Sequence, residues 1–153
     1  MEFNSIREIL EFALSKEQAS VQFYKDLASQ ATDPMTKALF ETLVCNEQKH
    51  IQAIQLEINK QSFTVNTKEQ SDKSVYLWDE RLEMDDQASE MNFADALMLA
   101  IQKERAAFRL YAQILGTTQN ETFAKILMEL AEEEMRHVLQ LEHEYDNIMS
   151  GKD

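Results

Sequence analysis

Apolar residues recur at three- and four-residue spacing over four long stretches, the period of a helix with one face in a core. The first stripe is Ile6, Leu10, Ala13, Leu14, Val21, Tyr24 and Ala28; the second is Phe40, Leu43, Ile51, Ile54 and Ile58. The third runs Leu97, Ala100, Ile101, Ala107, Phe108, Tyr111 and Leu115, and the fourth Phe123, Leu127, Leu130, Val138, Leu141, Tyr145 and Ile148. A start signal precedes each stripe. Ser5-Ile-Arg-Glu8 reads as a capping box, Asp33-Pro34 as a cap followed by a proline at the first helical position, and Asn92 and Asn120 as further caps. Gly116 reads as the residue that ends the third helix. The spacing predicts helices over about 6–30, 34–60, 93–116 and 120–149.

Residues 61–92 carry no sustained period and read as a crossover, with a short helix over 75–84. Its Tyr76-Leu-Trp78 cluster suits either a bundle edge or an oligomer contact. A helix of about 24 residues is about 36 Å long, and about 11 extended residues can return along it. A crossover of this length therefore lets the third helix run parallel to the second. The expected architecture is all-α: a single domain over 1–153, built as a four-helix bundle of two helical hairpins joined by a long crossover.

Certain polar residues interrupt the apolar stripes. Glu17 and Glu104 are centred in the first and third, and Glu47-x-x-His50 and Glu134-x-x-His137 lie within the second and fourth. Residues three apart on a helix are neighbours on one face, so each Glu-x-x-His pair points a carboxylate and an imidazole the same way. The pairs 47/134, 50/137, 17/104 and 24/111 all repeat at an offset of 87, as do the caps Ser5 and Asn92. The chain is thus two copies of one hairpin, each bringing Glu, Tyr and Glu-x-x-His in that order.

Six groups of this kind facing one core make a metal site. Four ionised carboxylates buried together would repel and protonate. Two divalent cations neutralise them, and two trivalent ions with one oxide do the same, which suits a site that changes oxidation state. Each ion would take one terminal Glu and one His, with Glu47 and Glu134 as natural bridges. Carboxylate and imidazole without thiolate favour iron or manganese. The plainer alternative is a bundle with a buried polar layer and no metal, which leaves costly unpaired glutamates. Tyr24 and Tyr111, two turns beyond Glu17 and Glu104, either hydrogen-bond a ligating carboxylate or simply pack in the core. His143 and Cys45 lie off the site face, the first solvated and the second a small packing residue. Glu132 and Glu133 read as a solvated acidic face.

Composition narrows the function. Two Gly and one Pro leave few breaks, and no apolar run reaches about 18 residues, so no membrane span is expected. The net charge of −13 argues against nucleic acid and anionic membrane as partners. Met1-Glu-Phe-Asn-Ser5 lacks the basic and apolar regions of a leader, and a single cysteine excludes an internal disulfide framework, so the cytoplasm is the expected location.

At Glu17-x6-Tyr24, Glu47-x-x-His50, Glu104-x6-Tyr111 and Glu134-x-x-His137 the chain resembles the rubrerythrin branch of the ferritin-like superfamily. The resemblance spans the chain apart from the crossover. It implies two iron ions per chain on Glu17, Glu47, His50, Glu104, Glu134 and His137, with manganese or a mixed pair as alternatives. It also implies reduction of hydrogen peroxide, or of dioxygen, with oxidation of bound ferrous iron. Two departures stand out. No rubredoxin domain is present, since Cys45 is the one cysteine, so electrons must come from an external donor such as a rubredoxin-like protein. Ala107 stands where rubrerythrins carry an additional Glu one turn past the third-helix Glu. Other readings are hydroxylation of an organic substrate, an iron-binding, ferroxidase or storage protein, and a metal-stabilised non-catalytic interaction protein. A homodimer or higher homo-oligomer is expected.

Overall fold

The computed structural model describes residues 5–63 and 92–151. Among these residues there are four helices: α1 Ile6–Gln30, α2 Pro34–Phe63, α3 Phe93–Thr117 and α4 Glu121–Met149. The expected helix over 75–84, the Tyr76–Trp78 cluster and most of the crossover lie outside the described residues. Among the described residues no helix is long and apolar enough to cross a membrane.

The helix starts are those the caps announce. Ser5 Oγ accepts from the Glu8 amide at 3.1 Å and Asp33 Oδ2 from the Thr36 amide at 3.0 Å. Asn92 Oδ1 accepts from the Asp95 amide at 2.8 Å and Asn120 Oδ1 from the Phe123 amide at 3.0 Å. Each satisfies a donor that the first helical turn leaves orphaned, an effect of about 1 kcal/mol. The ends differ more from expectation. α2 continues three residues past Lys60, to Phe63. Gly116 does not terminate α3: it lies inside the helix, and Thr118 caps it in an extended conformation (ψ 141°), its N–H donating to the Ile114 carbonyl. The short link to Asn120 leaves in extended backbone, so no left-handed residue is needed there. Gly151, just past α4, has a φ of 73° and donates its N–H to the Ile148 carbonyl at 3.1 Å.

α1 packs on α2 and α3 on α4, and the hairpins meet through α1 against α3 and α2 against α4. Two apolar clusters fix the helix directions. One joins Ile9 and Leu10 at the start of α1 to Ile58 late in α2, Ile114 late in α3 and Phe123 early in α4. The other joins Leu27 late in α1 to Phe40 early in α2, Leu97 early in α3 and Leu141 late in α4. The ends of α2 and α3 therefore lie together, as do their starts: α3 runs parallel to α2, as a crossover of this length allows.

The buried faces are wider than the stripes. In α1, Leu14 and Val21 are only half-buried, while Ile9, Phe23 and Leu27 fill the core. In α3, Ala107, Phe108 and Leu115 sit at the edge, and Ala96, Leu99, Ala106, Leu110 and Ile114 are buried. Ile51 of α2 is likewise half-buried. A helix in a bundle touches two neighbours, so its buried face spans more than one stripe and is rotated toward the closer partner. Lys103 is also buried, its Nζ 5.5 Å from the centre of the Phe23 ring, its charge set against an aromatic face.

Candidate metal centre

Between the two apolar clusters lies a polar layer. Glu17 from α1, Glu47 and His50 from α2, Glu104 from α3, and Glu134 and His137 from α4 are each between 1% and 4% exposed. One ligand atom from each of Glu17, Glu47, His50 and Glu134 falls within a 4.8 Å span, and so does one from each of Glu47, Glu104, Glu134 and His137. All six residues singled out in the sequence are thus brought together, and Glu47 and Glu134 belong to both groups.

Both histidines turn Nδ1 inward. His50 Nδ1 lies 3.0 Å from Glu134 Oε1 and 3.5 Å from both Glu17 Oε2 and Glu47 Oε2. His137 Nδ1 lies 3.2 Å from Glu47 Oε1, 3.6 Å from Glu104 Oε2 and 3.9 Å from Glu134 Oε2. The imidazole rings are 5.7 Å apart and 20° from parallel. One buried atom in each of the six residues has no hydrogen-bond partner: Glu17 Oε2, Glu47 Oε1, His50 Nδ1, Glu104 Oε2, Glu134 Oε1 and His137 Nδ1. Orphaned polar atoms in a dry interior are costly. Here they converge from every helix, and two cations would satisfy them, so the donor set fits a dimetal centre.

Electrostatics show what the layer does when protons must serve instead of cations. Burial pushes Glu104 up, helped by the charge of Glu47, to about 7. Burial also opposes ionisation of Glu47, but the neighbouring imidazoles of His137 and His50 overcome it and hold that carboxyl at about 2. His137 is opposed by burial and still raised to about 9 by Glu104 and Glu47; His50 is raised in the same way by Glu47 and Glu133.

The tyrosines bind across the hairpins. Tyr24 Oη donates to Glu104 Oε1 at 2.5 Å and Tyr111 Oη to Glu17 Oε1 at 2.7 Å. Burial raises both phenols well above their usual range, so they remain donors. Each fixes one oxygen of a carboxylate whose other oxygen faces the centre. Tyr111→Phe should leave a buried Glu17 oxygen without a partner, costing about 1–3 kcal/mol of stability and weakening metal binding about tenfold or more. Thermal melts and competition with a chelator measure both. His143→Ala should change neither, because His143 is exposed on the far side of α4.

Two expectations need correction. Cys45 is not a packing residue but exposed: among the described residues α2 packs on α1 and α4, and Cys45 lies off those contacts. Glu133 is not simply solvated: it is 39% exposed and hydrogen-bonds His50 Nε2 from across the bundle. Its counterpart is Asn46, whose Nδ2 lies 3.3 Å from His137 Nε2. The signal for both was the 87-residue register, which pairs Asn46 with Glu133, each just before the Glu of a Glu-x-x-His.

An antiparallel four-helix bundle with this buried layer defines a ferritin-like carboxylate protein. The chain belongs to the rubrerythrin family, whose model matches residues 8–145 and so takes in all six residues. A hypothetical protein from Pyrococcus furiosus is similar in structure, with a TM-score of 0.77 at 21% identity over 95% of this chain and 91% of that one. A two-domain protein from Anabaena variabilis containing DJ-1/ThiJ/PfpI-like and ferritin-like domains superposes with a TM-score of 0.66 at 16% identity, over 95% of this chain and 37% of that one. No curated protein sequence matches the chain.

Proposed function

We propose that this protein is a di-iron oxidoreductase that reduces hydrogen peroxide, with Glu17, Glu47, His50, Glu104, Glu134 and His137 as the iron ligands and residues 1–153 acting as one domain. The observation that carries the reading is the set of six converging buried atoms, one per residue, that make no hydrogen bond. Iron bound there would supply one electron per ion and polarise the O–O bond. Those two electrons with two protons would convert one peroxide to two waters, and an external reductant would be needed to restore the ferrous state. These 153 residues hold one cysteine, too few for a rubredoxin-type iron site, so the donor lies outside them.

The chain's own groups favour a small substrate. Ala13, Lys16, Ser20, Lys103, Ala107 and Leu110 line a cavity of about 20 Å3 that reaches Glu17, Glu47, Glu104 and Glu134. That is room for one or two water-sized molecules, which suits peroxide or dioxygen better than an organic substrate to be hydroxylated. Tyr24 and Tyr111 hold the outer oxygens of Glu104 and Glu17, so those carboxylates stay aimed at the centre. Ala107 offers no donor, so His50 has no neighbouring carboxylate on α3 to give way to. His50 should stay bound in both the reduced and the oxidised protein.

Anaerobic loading with ferrous iron followed by stopped-flow mixing tests the proposal. Oxidation by peroxide is expected to outpace oxidation by dioxygen. Faster reaction with dioxygen, or uptake of many irons per chain, would move the protein to the oxidase or storage class.

A further inference from the structure

The 87-residue repeat supplies the centre with the same residues twice, but the groups behind the two histidines are not repeated. With Nδ1 of each histidine facing the centre, Nε2 faces away from it. An imidazole that gives the Nδ1 lone pair to a cation carries its proton on Nε2 and needs an acceptor there. For His50 the group in that position is the Glu133 carboxylate; for His137 it is the side-chain amide of Asn46 at 3.3 Å. The register is the same, since each lies one residue before the Glu of a Glu-x-x-His and 46 and 133 differ by the 87-residue repeat. Equivalent backbone positions thus present chemically different groups to the two imidazoles.

We propose that Glu133 and Asn46 make the two metal positions unequal, the ion held by His50 being bound more tightly than the ion held by His137. The inference rests on the dimetal reading above. A carboxylate accepts a charge-assisted hydrogen bond from Nε2–H and makes the imidazole a stronger donor to its metal. It also adds a negative charge beside one ion and not the other. The Asn46 amide is neutral. To accept from Nε2–H it must turn its Oδ1, not Nδ2, toward His137, and the two amide ends interchange by a half-turn of the side chain. Glu133 is 39% exposed, so solvent screens part of its charge. The expected inequality is therefore the size of an outer-shell effect, about tenfold, and not larger by orders of magnitude.

The test uses the metal-free full chain and cobalt(II) under anaerobic conditions, with visible absorption and a competing chelator to read occupancy. His137→Ala keeps the His50 position and His50→Ala keeps the other. The first should bind its single ion about tenfold more tightly than the second. Adding Glu133→Gln to His137→Ala should abolish that advantage, and adding Asn46→Asp to His50→Ala should confer a similar one. Circular dichroism of the metal-free variants checks that each is folded. Should neither single-histidine variant bind, stepwise titration decides: wild type fills in two steps, and Glu133→Gln weakens the first alone. Equal affinities, an advantage that survives Glu133→Gln, or a single unresolved step in wild type overturns the inference. Wild type that binds two ions equally sinks only the inequality. Wild type that binds at most one sinks the dimetal reading with it.

Discussion

Replacing Glu134 by alanine should empty both metal positions, whereas replacing His50 or His137 should empty only one. Glu134 has ligand atoms in both four-residue groups, as does Glu47. Each histidine belongs to one group, with Glu17 on the His50 side and Glu104 on the His137 side. A carboxylate shared by both groups would give a donor to each ion, and removing it would also take away negative charge that offsets the repulsion between two cations. Removing a terminal imidazole takes a donor from one. Wild type reconstituted with ferrous iron should hold about two ions per chain, the histidine variants about one, and Glu134→Ala close to none. Metal analysis after desalting reads all three. Retention of two ions by Glu134→Ala would show that this shared carboxylate is not needed by both ions, and retention of two by His50→Ala that His50 is not a required ligand. The same analysis on protein as isolated distinguishes iron from manganese.

Stripped of metal, the protein should lose stability as the pH rises from about 5 to about 9. Glu104 is raised from 4.5 to about 7 and His137 from 6.5 to about 9. Both shifts are upward, so each group's contribution is complete below its unfolded value and disappears as the pH climbs through its folded value. The losses follow one another, Glu104 between about 4.5 and 7 and His137 between about 6.5 and 9. Glu47 has the opposite sign: held at about 2, its contribution is present above 4.5 and disappears only in strong acid. Bound cations replace the protons on these groups, so metal binding releases protons and tightens with rising pH. The gain in melting temperature on adding metal should therefore widen between pH 5 and pH 9, on the order of 5 °C or more. Melts of chelator-treated and metal-loaded protein at pH 5, 7 and 9 check this. A gap that narrows with pH would mean that protons do not stand in for cations in this layer.

The six buried residues and the two-fold repeat were legible in the sequence because both are local. A helical period, a cap and a Glu-x-x-His pair each depend on residues within four positions of one another. Glu17, Glu47, His50, Glu104, Glu134 and His137 could be placed on inward faces from their stripes alone, and the four caps from a few residues each. The length of the crossover was enough to allow α3 to run parallel to α2. Fold and family follow from these features, and the residues brought together at the centre are the ones the stripes pointed to.

What the sequence could not supply depends on how one helix is rotated and offset against another. Spacing placed Tyr24 above Glu17, yet its hydroxyl meets Glu104 of the other hairpin, and Tyr111 meets Glu17 in return. Those pairings arise from the antiparallel contact of α1 with α3. The buried face of α3 was wider than its stripe because two neighbours, not one, cover it. Gly116 suggested a helix end, but the backbone leaves α3 two residues later in extended form. Glu133, one of three consecutive glutamates, is set apart from Glu132 only by the 87-residue repeat that pairs it with Asn46, and that repeat does not say what either residue touches. Glu133 becomes a partner of His50 only because α4 turns that edge toward α2. Local order along each helix was thus decided by the sequence, and the chemistry between helices by the rigid-body geometry of their packing.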